Sequence, residues 1–454
     1  MVSLGRAIAP LRGMRVDTVS AGSARGPSPF EWLFAAFALI AYQGAFFPIL
    51  HKLRGGGDTA PGWENTEFGD PVARYSLLLI IIVTLVLCVQ HWKHIVPVMR
   101  LIWPFWIFIA LCLASALWSD SPMLSFRRAI SLSGCFLFGV YAYYRFGAQR
   151  FIYLVALIGG ISAFFSLVLL VVYPSLAYDA TYFETNAIRG VYAQKNSLSA
   201  YNTIGLCASI AIVFLERYLS PSMKVAMAAL SFLMLLTLML SRGLSAVTAF
   251  VLMFLVFLVY YDRISWRARL LLAYLFMMAL ILVAFMIYVD PTGSLSLVGK
   301  DTTLSGRWDV WVESLRAIRL KPILGFGYDS FWDPTLSRTR YVWHMIGWAA
   351  PNAHSGYLEL MLGVGAVGTL LYVFLCGRAA ILAVRLARLK IPGMRWFVMY
   401  STTVFVLNLD EGTLALPDAI AIQVAFGCCL VEASLRSQRI ARAEAAAAAA
   451  APRA

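Results

Sequence analysis

Charge is what this sequence has least of. Asp, Glu, Lys and Arg make up 13% of its 454 residues, while 61% are hydrophobic. A soluble domain normally carries about 25% charged residues, so an ordinary soluble globule is excluded. Paired cysteines are also missing. Cys88, Cys112, Cys135, Cys207, Cys376, Cys428 and Cys429 all fall inside apolar runs, which leaves no disulfide framework and no zinc spacing. There is no P-loop and no Ser-centred elbow, and the candidate outer loops hold no Asp-x-Asp pair. Nucleotide hydrolysis, serine-esterase chemistry and metal-held nucleotide-sugar transfer therefore lack their usual residues. Residues 1–29 are rich in Arg, Ser, Gly and Pro and have no apolar core, so the first span is expected to serve as the anchor.

What remains is a succession of long apolar runs. In hydrocarbon every backbone N–H and C=O must be satisfied within the protein, which makes each such run a helix. Spans are expected at 30–50, 75–90, 101–118, 129–146, 151–173, 198–215, 224–240, 243–261, 270–289, 355–376, 396–409 and 418–434. The fold class is thus all-α, a polytopic membrane protein of about 12 transmembrane helices. A membrane domain at 30–434 lies between a tail at 1–29 and an Ala-rich tail at 435–454.

The net charge of +14 is spread over many short loops with no single patch, so nucleic acid is not an expected partner. The lipid bilayer is. Arg263, Arg267 and Arg269, and Arg378, Arg385, Arg388, Lys390 and Arg395, fall on one side of the alternating spans. Basic loops stay cytoplasmic, so both termini are expected in the cytoplasm and the span count is even. The largest loop, 290–353, then faces outward. Within it Trp308, Trp311, Val312, Leu315 and Ile318 recur at helical spacing, and Pro322 and Gly325-Phe326-Gly327 end the run. An interfacial helix with Trp at headgroup depth is expected there.

The outer ends of the spans gather the residues suited to chemistry. Arg189 precedes Gly190, Lys195 and Asn196 open the sixth span, and Arg242 sits in the tight turn after the seventh. Arg307 starts the interfacial helix, and His354 opens the tenth span, followed by Tyr357 and Glu359. A guanidinium is planar, permanently charged and bidentate, which suits phosphate. A histidine can take a proton near neutral pH. Each has a bland reading beside it: a lone Arg at a span end is commonly a snorkelling anchor, and His354 a helix-start residue. Glu359, in the outer turns of an apolar helix, needs a partner whether it is structural or functional. His91 and His94 lack a third metal ligand. Asp410, Glu411 and Asp418 read as a solvated acidic turn. Gly363, Gly365 and Gly368 read as a close helix-packing face.

Four stretches together resemble the O-antigen ligase and Wzy-type polymerase superfamily, most closely its exopolysaccharide-production polymerases. They are Trp118-Ser119-Asp120-Ser121-Pro122 with Ser125-Phe126-Arg127-Arg128; Arg189-Gly190-Val191-Tyr192-Ala193-Gln194-Lys195-Asn196; Gly306-Arg307-Trp308-Asp309-Val310-Trp311 running to Gly325-Phe326-Gly327; and Asn352-Ala353-His354-Ser355-Gly356-Tyr357-Leu358-Glu359. Ser355 departs from the Asn that the family often has after the His. The resemblance implies a metal-independent, inverting glycosyltransferase without cofactors, acting at the periplasmic face of a bacterial inner membrane on glycans carried by undecaprenyl pyrophosphate. It implies that Arg189 and Arg307 bind pyrophosphate and that His354 positions or deprotonates the acceptor hydroxyl. Arg242 is added as a group placed to neutralise leaving-group charge. Lys195, Asn196, Tyr357, Glu359, Trp308 and Trp311 complete the expected substrate-binding set. Partners implied are the lipid-linked glycan, a flippase and a chain-length regulator. Two other readings stand beside the polymerase. A ligase would deliver polymer to lipid A core by the same chemistry. A lipid-linked sugar transporter or flippase would need midplane charges and related halves, neither of which is seen here.

Overall fold

The computed structural model describes residues 26–56, 70–179, 186–216, 219–272, 274–276, 278 and 306–450. Among them the chain is helical, with one isolated antiparallel bridge, Tyr178 to Ile188. Local signals set the helix starts. Ser28 accepts from the Glu31 N–H at 3.3 Å and its own N–H donates to Glu31 at 2.7 Å, a capping box in front of α1 (Pro29–Tyr42). A turn at Gly44 and Phe46, both at positive φ, then bends the chain by 78° into α2 (Phe47–Leu53). Asp70 caps α3 (Pro71–Gln90), accepting from Val72 N–H at 2.7 Å. Next come α4 (Trp92–Leu101) and α5 (Trp103–Ala114), bent by 87°.

The longest helical run, α6 (Pro122–Val172), is two arms joined at Gly147, whose φ of 64° and ψ of 178° lie outside the helical region. The arms fold back on each other, since Tyr143 before the break and Phe151 after it both pack on Phe426, at 5.9 and 4.0 Å between ring centroids. One element thereby supplies both spans expected at 129–146 and 151–173. After the short α7 (Pro174–Ala177) come α8 (Lys195–Ile210), prolonged by a π-turn to Leu215, α9 (Pro221–Leu240) and α10 (Leu244–Tyr260). Then follow α11 (Arg307–Leu320), α12 (Ser337–Ile346), α13 (Gly356–Arg388), α14 (Met394–Leu407) and α15 (Ala419–Ala450).

Six of these helices are long and apolar enough to cross a membrane: α3, α6, α8 with its π-turn, α9, α13 and α15. The bent pairs α1–α2 and α4–α5 pass together, which raises the number to eight, and α10 and α14 are shorter apolar helices. The protein is an all-α polytopic membrane protein. Of the span expected at 270–289 only 270–272, 274–276 and 278 are described, and 290–305 of the long loop falls outside the described residues.

Helices in lipid associate through close backbone approach and polar ties. A Cβ on Gly159 of α6 would lie 2.9 Å from the Gly205 Cα of α8, so the two backbones touch there. Asn202 donates to Thr237 at 2.7 Å and joins α8 to α9. At the far end of the bundle, Arg145 donates to Glu31 at 2.7 Å and Tyr141 donates to the same carboxylate. Because successive spans alternate in direction, the segments around 43–47, 70–74, 118–131, 189–196, 241–244, 306–356 and 408–418 all meet at the other end.

Helix α13 is broken. Gly365 sits at φ 64°, ψ −167°, and the loop after α11 docks against the break by backbone hydrogen bonds. Phe326 N–H donates to Leu362 C=O at 2.7 Å and Gly327 N–H to Gly363 C=O at 2.9 Å. On the other side of the break Ala366 N–H donates to Pro322 C=O at 2.8 Å. A Cβ on Gly325 would come within 2.6 Å of Gly363 O, and one on Gly365 within 2.2 Å of Ile323 O. This corrects the expected role of these glycines: Gly363 and Gly365 admit a loop backbone, not a neighbouring helix.

Candidate active site at the loop-bearing end

A cavity of about 470 Å³ opens at the end where the loops converge. Its wall takes Gln43 from the α1–α2 turn, Arg127 and Arg128 from α6, Asn196 from α8, and Asp329, Asn352 and Glu359 from the 326–359 segment. Glu411 and Asp418 close the remaining side.

Arg307 and His354, far apart in sequence, are brought to one assembly. Gly306, at φ 75°, starts α11, and a Cβ there would lie 3.3 Å from Trp348 Nε1. The Trp348 ring in turn lies 5.9 Å from the His354 ring. Arg307 forks onto two carboxylates, donating from NH1 to Asp410 at 2.8 Å and from NH2 to Glu411 at 2.9 Å. Burial works against its charge, yet the two acids outweigh burial and hold the guanidinium more firmly protonated than usual. The expected solvated turn at Asp410 and Glu411 is thus corrected to an ion-paired one. A Cβ on Gly412 would lie 3.3 Å from Asn352 and 3.4 Å from the Glu359 side chain, so this turn rests on the His354 segment.

His354 is buried and held at φ 47°, in the left-handed region. Its N–H donates to Asn352 Oδ1 at 2.8 Å, an Asx-type turn that fixes the strained backbone. Glu359 finds the partners its position demands: Trp332 Nε1 donates to it at 2.8 Å and Ala353 N–H donates to the same oxygen. Tyr357 donates to Phe405 C=O at 3.1 Å, which ties α13 to α14 rather than reaching the cavity.

The other expected residues are placed less centrally. Arg189 donates to Leu176 C=O at 3.1 Å and Ala193 C=O at 3.2 Å, tying those two positions together; like Arg307 and His354 it does not itself line the cavity. Lys195 is buried at the first position of α8, with its N–H on Asp179 at 2.9 Å, while the adjacent Asn196 does line the cavity. Arg242 is exposed at φ 53° in the α9–α10 turn. That turn is joined to Arg307 through Ser245, which donates to Asp410. Along α11 the buried face is Val310, Glu313, Ser314 and Ile318, whereas Trp308 is 60% exposed and Leu315 49%. Trp311 is half-buried on the flank of that face.

Several cavity residues were not singled out as site residues from the sequence. Arg128 pairs with Asp329 at 3.1 Å, both largely buried. Burial raises the Asp329 carboxyl above its ordinary range, and Arg128 opposes that rise. The signal available was the Arg127-Arg128 pair at the start of a span; nothing local connects it to Asp329. The preceding Trp118–Pro122 stretch acts as a clamp on the long loop. Trp118 donates to Leu324 C=O at 3.1 Å, Ser119 bonds Ser330 at 3.0 Å, Ser121 donates to Asp333 and Asp120 pairs with Arg338. Arg338 also lies over the Phe326 and Phe331 rings at 4.6 and 5.3 Å. Among the described residues no group of three His, Cys, Asp or Glu side chains is disposed to hold a metal ion.

Residues 229–373 match the family model described as O-antigen ligase. That stretch contains Arg242, Arg307, His354, Tyr357 and Glu359, but not Arg127, Arg128, Arg189 or the 408–418 turn. The chain is also similar to the exopolysaccharide production protein ExoQ of Rhizobium meliloti (strain 1021), at 27% identity over 293 residues. The match covers 60% of this chain and 62% of that protein, under two thirds of the relative's length. With the four sequence stretches and the polytopic fold, these matches make the chain similar to the O-antigen ligase/polymerase family.

Proposed function

We propose that this protein is a glycosyltransferase that polymerises undecaprenyl-pyrophosphate-linked repeat units into an exopolysaccharide or O-antigen. The observation that carries this reading is the convergence of Arg307 and His354, through Trp348, beside a cavity at the loop-bearing end. The exopolysaccharide relative favours a polymerase over other members of the family. In the proposed step an acceptor hydroxyl oxygen attacks the anomeric carbon of the donor glycan. The bond from that carbon to the pyrophosphate oxygen breaks, with inversion, and the hydroxyl proton passes to the His354 ring. The leaving pyrophosphate carries the departing electron pair, and its charge is met by Arg307 with Arg242 and Arg189 in support. Arginine supplies that neutralisation without a metal. Asp410 and Glu411 keep the Arg307 fork aimed and compete with the pyrophosphate for it, so donor binding exchanges one set of acceptors for another. Lys195, Asn196, Tyr357, Glu359, Trp308 and Trp311 form and support the walls that receive the sugars and the lipid headgroup.

In the proposed topology the membrane domain at 30–434 lies in a bacterial inner membrane with both termini cytoplasmic and 290–353 periplasmic, and the cavity faces the side on which a lipid-linked glycan is presented. A flippase and a chain-length regulator of the same pathway are its proposed partners. The test is genetic and chemical together. In a deletion strain single lipid-linked repeats should accumulate, and the intact gene should restore polymer; normal-length polymer in the deletion strain would exclude the function. The ligase reading is kept because the matching family model is described as O-antigen ligase. It requires lipopolysaccharide core without O-chain in the deletion strain, with free polymer left on the carrier.

A further inference from the structure

The proposed reaction leaves one side of the cavity unused. Its lining there comes from α3 and the first arm of α6, two helices that descend from the loop-bearing end in the same direction. At the top both carry an exposed arginine on the cavity lining, Arg74 and Arg127. Below them the lining turns apolar and outward-facing, with Leu78 51% exposed and Ile130 40% exposed. Lower still the helices close on each other: a Cβ on Gly134 would lie 2.7 Å from the Ile81 side chain, so only glycine lets that contact form. Arg74 to Ile81 and Arg127 to Gly134 are equal intervals, about 10 Å of helical rise each. The two helices therefore present matched levels: cations, then apolar side chains, then a seal. That profile is complementary to a lipid lying in the leaflet, with phosphate at the interface and hydrocarbon below. The cleft also continues into the cavity that holds Asp329 and Glu359.

We propose that the α3–α6 cleft is a lateral port for a polyisoprenyl-phosphate lipid, with Arg74 and Arg127 receiving the phosphate and Leu78 and Ile130 lying along the isoprenoid. The identity of the lipid rests on the proposed function; the port itself rests on the geometry. It gives the reaction a second lipid-phosphate subsite, distinct from Arg307, whose carboxylate partner Glu411 lies on the cavity lining. A transfer between two lipid-borne glycans needs two such places, because both chains must reach one cavity without leaving the membrane.

Photo-crosslinking of the full chain in nanodiscs tests this independently of glycan transfer. Benzoylphenylalanine is placed at position 78, at position 130 and, as a lipid-facing control, at position 235 on α9, and radiolabelled undecaprenyl monophosphate is the probe. Label is expected at 78 and 130 at several times the level at 235. The excess should fall to the control level with Arg74→Ala and Arg127→Ala together, and it should survive an equimolar addition of phosphatidylglycerol. Equal labelling at all three positions, indifference to the arginines, or displacement by phosphatidylglycerol would each overturn the port, the last by making it an ordinary phospholipid site. If crosslinking behaves as expected while polymer formation proves independent of this protein, the proposed function fails and the port stands.

Discussion

Arg307 is the residue whose environment most constrains what the site can do. Its two hydrogen bonds, at 2.8 and 2.9 Å, use the fork of the guanidinium, and lysine cannot reproduce them. Arg307→Lys is therefore expected to keep the protein in the membrane but lower polymer formation by about two orders of magnitude. Arg307→Ala is expected to be worse for the fold, because it strands two acids without their cation, at a cost of about 3–5 kcal/mol. A thermal melt in detergent separates the two variants; equal melting temperatures would contradict the ion-pair account. None of this was legible locally. Asp410 and Glu411 look like a solvated turn because the arginine that claims them lies far away in sequence. His354 and Glu359 were legible as a pair, since a carboxylate in the first turns of an apolar helix must find donors. Its donors Trp332 and Ala353 follow from the loop path and could not be read from spacing.

Also at the residue scale, Asp333 sets a pH response. Burial pushes its carboxyl upward, but hydrogen bonds from Ser121 and Thr335, with Arg128 nearby, outweigh burial and leave it below the usual range. A carboxyl lowered in the folded state stabilises above its unfolded pKa, and the gain is lost as pH falls through the lowered folded value. The clamp between the Trp118–Pro122 stretch and the long loop should thus loosen on the acid side. Limited proteolysis between 321 and 338 is expected to accelerate as pH drops below about 4. Asp333→Asn should flatten that dependence; an unchanged acid-side acceleration would remove Asp333 from the clamp.

At the scale of elements, the long apolar helices were readable because hydropathy and length decide them. The helix Arg307–Leu320 was readable too, since Gly306 and Pro322 bracket a periodic run; its place at the interface is an expectation. The reversal at Gly147 falls between the spans expected at 129–146 and 151–173; what was not readable was the break at Gly365, because a glycine in an apolar run looks the same whether it packs, kinks or reverses. Helix α12, Ser337–Ile346, went unseen because it is short and its sequence mixes Arg, Thr and His with its apolar positions. The docking of 322–327 on the α13 break makes a sharp expectation. Gly325→Val and Gly365→Val each place a branched side chain against a backbone carbonyl at positive φ. Both are expected to reduce folded protein severely, whereas Gly377→Ala, with open space around its Cβ position, should be tolerated. Fluorescence-detected size-exclusion profiles would show it; a monodisperse Gly365→Val protein at normal yield would refute the joint.

For the whole molecule, the alternation of helix directions brings seven separated segments to one end, and that is why a site drawn from across the chain exists at all. The charge bias of the short loops is the ground for proposing that the other end is cytoplasmic. Alkaline phosphatase fused after residue 340 is expected to be active and fused after residue 436 inactive, and the reverse pattern would invert the topology. The account as a whole stands or falls on transfer by purified protein in liposomes supplied with a lipid-pyrophosphate-linked repeat unit, resolved by gel according to chain length. The intact protein should give a ladder. His354→Ala should give at least a hundredfold less polymer while still binding the lipid-linked substrate. A full-length ladder from His354→Ala would contradict the central claim that this cavity is where the glycosidic bond is made.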